Sequence, residues 1–122
     1  MWRLAGYGEF LARSDPELFQ RQADSGAAPG GFADVVATLN PIGDDQPEVS
    51  PHWSVTFAVD DADATAATAS ELGGKVVAAP FDAPWVRMAV LADPHGATFI
   101  ASKFVPENRD LAGQAGSAAA AA

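Results

Sequence analysis

The side chains in this chain whose types could do chemistry are few: His52, His95, the adjacent Asp60 and Asp61, and Arg87. A divalent metal needs imidazole nitrogens and carboxylate oxygens converging on one point. His52 and His95 lie far apart with no neighbouring carboxylate motif, which disfavours a metal site built on them. No nucleophile motif supports a catalytic triad either. Asp60 and Asp61 immediately precede a helical pattern, where they read as caps rather than as an acid/base pair. His95 sits inside Asp93-Pro94-His95-Gly96 and reads as an exposed turn residue. Arg87, in Trp85-Val86-Arg87-Met88, could take a ligand carboxylate or stack on an aromatic, although such an Arg more often pairs with a nearby acid.

A second set of candidates is defined by alternation. From Trp53 to Val59, the residues Trp53, Val55, Phe57 and Val59 point to one side as a core face, and Ser54, Thr56 and Ala58 to the other. If Ala97 to Phe104 alternates in the same way, then Ser54, Thr56, Thr98, Ile100 and Ser102 share one concave surface. Small hydroxyls beside an aliphatic side chain suit a pocket that orients an organic ligand by a few hydrogen bonds. A partly solvated sheet face is the competing reading. Trp85 and Arg87 join these residues as candidate ligand contacts, against the alternative that the tryptophans are core.

These residues must be positioned by an α+β framework. Trp2 to Phe10 is a weak strand candidate, interrupted by Gly6 and Gly8. Ser14-Asp15-Pro16-Glu17 reads as a capping box opening a helix that runs to about Asp24 and stops at Gly26. Phe32 to Leu39 is a strand candidate, and an acidic, proline-punctuated linker follows from Asn40 to Pro51. After the Trp53 to Val59 strand, Ala62, Ala66, Ala69 and Leu72 recur at helical spacing, and Gly73-Gly74 ends that helix. Lys75 to Ala79, Val86 to Ala92 and Ala97 to Phe104 then read as strands, the last two joined by a type I turn at Asp93-Pro94-His95-Gly96. The order is βαβββ. The stretch from Ala112 to Ala122 is low-complexity and lacks large apolar anchors, so a disordered tail is expected.

Composition sets the outer bounds. A chain of 122 residues with 48% hydrophobic content can bury a modest core. It has no cysteine, which removes disulfides and thiolate chemistry and fits a reducing compartment. Sixteen Asp and Glu against seven Lys and Arg give a net charge of −9, which repels a phosphate backbone and argues against nucleic-acid binding. The N-terminus lacks a long apolar segment and no run is long enough for a membrane span, so the expected location is cytoplasmic, with no membrane partner.

Three segments carry a family resemblance: Phe57-Ala58-Val59-Asp60-Asp61, Glu71-Leu72-Gly73-Gly74, and Ala92-Asp93-Pro94-His95-Gly96-Ala97 leading into an apolar strand. In this order and spacing they resemble the vicinal oxygen chelate (VOC) superfamily, which includes glyoxalase I, extradiol dioxygenases and bleomycin resistance proteins. The resemblance implies a complete βαβββ module at residues 52–106. Residues 1–51 look like part of a preceding module with the helical insertion and linker of tandem hydroxylase-like members, and residues 107–122 form the tail. Such proteins pair two modules around a cleft. The resemblance implies that the first strand and helix of a leading module are missing, with the expectation that either a second subunit completes the cleft or the native start lies upstream. Self-association as a homodimer is the expectation.

Metal-using relatives place ligands on the first and last strands of each module, positions that fall here on Ser54 and Ile100. Neither is a metal donor, and His52 would reach the site only after a two-residue register shift. The resemblance therefore implies a small-molecule-binding protein without a metal or other cofactor, as the bleomycin resistance proteins are. One alternative is a glyoxalase-, hydroxylase- or lyase-like enzyme whose metal ligands come from a partner subunit or from the N-terminal half, where Glu9, Asp15, Glu17 and Asp34 are available. Another is a truncated subunit that only pairs with a different protein.

Overall fold

Trp2–Arg3 (β1) pairs antiparallel with Val35–Ala37 (β2), and two short helices, Tyr7–Ala12 (α1) and Leu18–Asp24 (α2), run between them. The computed structural model describes residues 1–26, 28 and 30–111. They divide into two units, Met1–Pro41 and a second beginning at Ile42. In the first unit the strand expected from Trp2 to Phe10 is cut short and its second half is α1. The cause is tertiary. Gly6 takes a φ of 80°, and Gly8 packs so tightly that a Cβ on it would lie 2.5 Å from the Ala33 Cβ. The Gly8 amide also donates to Asp34 Oδ1 at 2.8 Å.

The helix expected from Ser14 begins instead at Leu18, with Glu17 at the N-cap and no side-chain cap bond. Asp15 bonds to Arg21, and that hydrogen bond holds the Asp15 carboxyl below its ordinary range. The stop near Gly26 holds, with φ 64° there. Between Phe32 and Leu39 the expected strand is partly a 3-10 turn, Phe32–Asp34, leaving β2 three residues long.

The second unit is the expected βαβββ module. Its elements are Thr56–Ala58 (β3), Ala62–Glu71 (α3), Lys75–Ala83 (β4), Val86–Ala92 (β5) and Thr98–Phe104 (β6). The sheet order is β3-β6-β5-β4, with β3 parallel to β6 and the other pairs antiparallel. Asp61 caps α3, its carboxylate accepting from the Ala64 amide at 2.9 Å. Ala62 and Ala66 are buried, and their small side chains let α3 lie close to the sheet, where Ala66 packs with Ala89, Leu91 and Ala101.

Leu72 departs from its expected place on that stripe and is 75% exposed, because α3 ends at Glu71. Gly73 (φ 88°) turns the chain, and a Cβ on Gly74 would lie 2.7 Å from the Ala92 carbonyl oxygen, so the turn requires glycine. Strand β4 runs four residues past its expected end at Ala79, whereas β5 has its expected bounds.

Strand β3 is shorter than Trp53 to Val59, and Trp53, Val55 and Phe57 are exposed rather than core. It is an edge strand paired on one side only, although the Val55 carbonyl still accepts from the Ile100 amide at 2.9 Å. After β6, Pro106–Asp110 forms a 3-10 turn secured by Asn108, whose amide donates to Asp82 Oδ1 and the Val86 carbonyl. Residues 107–110, assigned to the tail from the sequence, lie within this ordered turn, and from residue 112 the expected tail lies outside the described residues. Among the described residues, no helix is long and apolar enough to cross a membrane.

Candidate functional site

The register of the four-stranded sheet sorts the candidate residues between its two faces. Ala89, Leu91 and Ala101 meet α3, so the helix face also carries Phe99, Phe57 and Arg87 through their alternation and pairing. The other face carries Thr56 beside Ile100, Ala58 beside Ser102, Met88 opposite Ser102, Val90 opposite Ile100 and Ala92 opposite Thr98. Thus Thr56, Thr98, Ile100 and Ser102 do share one surface. Ser54 lies just upstream of β3 and is exposed. This face is closed around Val90 and Ala92, which are buried, and accessible along β3 and β6.

Arg87 is on the opposite face from the hydroxyl row. Its Nε and a terminal nitrogen bond to Asp63 at 2.6 and 2.8 Å, and its other terminal nitrogen lies 3.2 Å from Asp82. These bonds raise the guanidinium pKa and lower that of Asp63. The arginine fastens α3 to β4 and β5, which is the ordinary fate of a strand-borne cation.

Trp85 belongs to the hairpin between β4 and β5, next to Val86 and Phe104, which pair on the hydroxyl face. Its ring stacks on Phe104 with centroids 6.4 Å apart and planes 7° from parallel. Phe104 was not among the residues singled out from sequence. Continuing the alternation Thr98, Ile100, Ser102 by one step reaches it.

His95 takes the exposed turn position expected of it, and His52 is exposed as well, with Nδ1 2.8 Å from the Ser50 carbonyl oxygen. His95 is exposed in the turn that Asp93 holds, its carboxylate accepting from the His95 and Ala97 amides at 2.8 and 2.9 Å. Those amides, Ala97 foremost, lower the Asp93 pKa. The hydroxyl of Ser54 and the aliphatic side chain of Ile100 do not fit a divalent metal. Among the described residues no group of three or more His, Cys, Asp or Glu converges to hold one. In the first unit, Glu9 and Asp34 border a hollow of about 340 Å³ with Phe19 and Phe32, but Asp34 already accepts from Gly8 and Asp15 is bound to Arg21. A shallow hollow of about 510 Å³ in the second unit is lined by Thr65, Thr68, Leu72 and Phe99, beside α3 and away from the hydroxyl row.

The module topology, with its first strand parallel to its last, agrees with a sequence match to the glyoxalase-like domain over residues 4–101. The chain belongs to the glyoxalase-like domain family. It is similar to CFP32 of Mycobacterium tuberculosis (strain CDC 1551 / Oshkosh), whose name provisionally calls it a glyoxylase. The two are 51% identical over 78 residues, 63% of this chain and 29% of CFP32. It is also similar to the anthracycline biosynthesis protein DnrV of Streptomyces peucetius, 59% identical over 51 residues, 42% of this chain and 18% of DnrV. The chain thus spans less than a third of the curated relatives it matches. Membership in the glyoxalase-like family accords with the VOC resemblance of the βαβββ segment.

Proposed function

We propose that this glyoxalase-like chain supplies one wall of a metal-independent cleft for a small organic molecule, and that a second copy completes the cleft. The observation that carries the reading is the row Thr56, Thr98, Ile100 and Ser102 on one accessible face, where hydroxyls flank an aliphatic side chain. The residues at the family's metal positions, Ser54 and Ile100, support a cleft that works without a metal. The exposed edge strand β3, with Trp53 at 85% exposure beside it, supports completion by a second copy. A relative named for anthracycline biosynthesis is consistent with an organic ligand.

The test is a fluorescence titration with Nile red, a neutral dye that brightens in apolar pockets. Wild-type protein is expected to bind it saturably. Thr56→Lys places a charge on the proposed wall at an exposed position that the fold tolerates, and is expected to abolish binding while the circular dichroism spectrum stays unchanged. Saturable binding that Thr56→Lys leaves untouched would place the ligand elsewhere.

A further inference from the structure

A tryptophan occupies a backbone conformation that ordinarily selects glycine. Trp85 has a φ of 69°, the only positive φ at a non-glycine position among the described residues. It follows Pro84 in the two-residue connection between β4 and β5, closed by the Ala83–Val86 pair. Proline at the second turn position and a positive φ at the third form the φ pattern of a type II turn, whose third position is normally Gly or Asn. Two-residue hairpins also favour the primed turns. A bulky residue there is strained, and such strain persists only where the surroundings hold it in place.

What holds it is visible. The Trp85 carbonyl accepts from the Val105 amide at 2.8 Å, and the indole lies nearly parallel to the Phe104 ring. Trp85 is half-buried, whereas Phe104 keeps 56% of its surface exposed. Phe104 continues the row Thr98, Ile100 and Ser102 on the hydroxyl face. The strained turn therefore backs an aromatic ring whose free face ends the proposed binding surface. Along β5 and β6 the residues on this face carry no charge.

From this we infer that the ligand is a neutral, planar aromatic molecule that extends the Trp85–Phe104 stack from the exposed face of Phe104 and is held along its edge by the Ser102 and Thr56 hydroxyls. The inference rests on the small-molecule reading of the same face and narrows its ligand class. A flat π-system matches an exposed ring backed by a parallel indole, and a charged ligand there would meet no counter-charge from β5 or β6, the Lys75 that pairs with Ala92 lying at the end of the face away from Phe104.

The test compares two neutral probes by equilibrium titration of the full chain: 1,8-dihydroxyanthraquinone, which is flat and aromatic, and decahydro-2-naphthol, which is saturated. The anthraquinone is expected to bind the more tightly. Phe104→Leu, which keeps bulk and removes the π-face, should weaken the anthraquinone about five- to tenfold and leave the saturated alcohol unchanged. Equal binding of both probes, indifferent to Phe104→Leu, overturns the aromatic assignment and leaves the cleft reading standing. Binding of neither probe overturns both.

A second pair of variants addresses the turn itself. Trp85→Gly and Trp85→Ala both delete the indole, but only glycine tolerates the positive φ. The Gly variant should melt above the Ala variant, the reverse of the usual order within strands and helices, and both should lose anthraquinone affinity. An Ala variant that melts higher, or an unchanged anthraquinone affinity in both, contradicts the inference.

Discussion

Arg87 grips Asp63 through two hydrogen bonds, at 2.6 and 2.8 Å, on the face of the sheet opposite Ser102 and Ile100. The bidentate geometry ties α3 to β5 and separates the part of the module that secures the helix from the part that presents a ligand surface. Arg87→Lys keeps the charge but cannot reproduce the fork. It is expected to lower the melting temperature slightly while leaving Nile red affinity unchanged, as thermal denaturation and dye titration on the same samples would show. A large affinity loss would return Arg87 to the binding surface.

Acid stability should follow the lowered carboxyls. Asp63, held by Arg87, and Asp93, held first by the Ala97 amide, both titrate below their ordinary value of 3.8 in the folded chain. A group whose folded pKa is depressed contributes stability that is present above its unfolded pKa and lost as pH falls through the folded value. The melting temperature should therefore hold its carboxylate contribution above about pH 4 and drop below it. Asp63→Asn should flatten that acid limb, as a pH series of melts can measure.

The helix face of the sheet rests on few large side chains. On that face Leu91 is the large fully buried side chain, packed with Ala66, Ala89 and Ala101, while Val90 is buried on the opposite face. Leu91→Ala should cost about 2–5 kcal/mol. In a domain of this size that approaches the whole stability. Urea denaturation should show a much lower midpoint or no folded baseline at all.

Association should involve the edge strand. Trp53, Val55 and Phe57 are exposed at 85%, 53% and 55% along and just before β3. Sedimentation velocity over a concentration series is expected to show a dimer for the wild type and a shift toward monomer for Trp53→Lys, a charge of the kind that protects natural edges. A wild-type monomer at every concentration would remove the second copy from the account.

Legibility in the sequence tracked how local each determinant is. The Asp61 cap and the Asp93 turn rest on hydrogen bonds within a few residues, the Ala62 and Ala66 stripe and strand β5 are written in local residue patterns, and all stand where those patterns place them. Helix α1 does not, because the close approach of Gly8 to Ala33 spans a loop that no local pattern reports. Ser14 is not a cap: its amide and that of Asp15 donate back to the Leu11 carbonyl at the end of α1, and the next helix starts at Leu18.

On the candidate site, alternation placed Thr56, Thr98, Ile100 and Ser102 on one face but said nothing of Arg87. Strand β5 is apolar on both sides, so its parity is invisible until Ala89 and Leu91 are seen to meet α3. The positive φ of Trp85 was equally hidden. Pro84-Trp85 carries half of a turn signature, and the glycine that would complete it is absent.

The most direct test of the central claim, that this face binds an organic ligand without a metal, is a Nile red titration before and after exhaustive dialysis against EDTA, with metal content measured on the same untagged protein. The account predicts the same affinity in both titrations and substoichiometric zinc, iron, manganese and nickel. Stoichiometric metal, together with binding that the chelator abolishes and the metal restores, would contradict it.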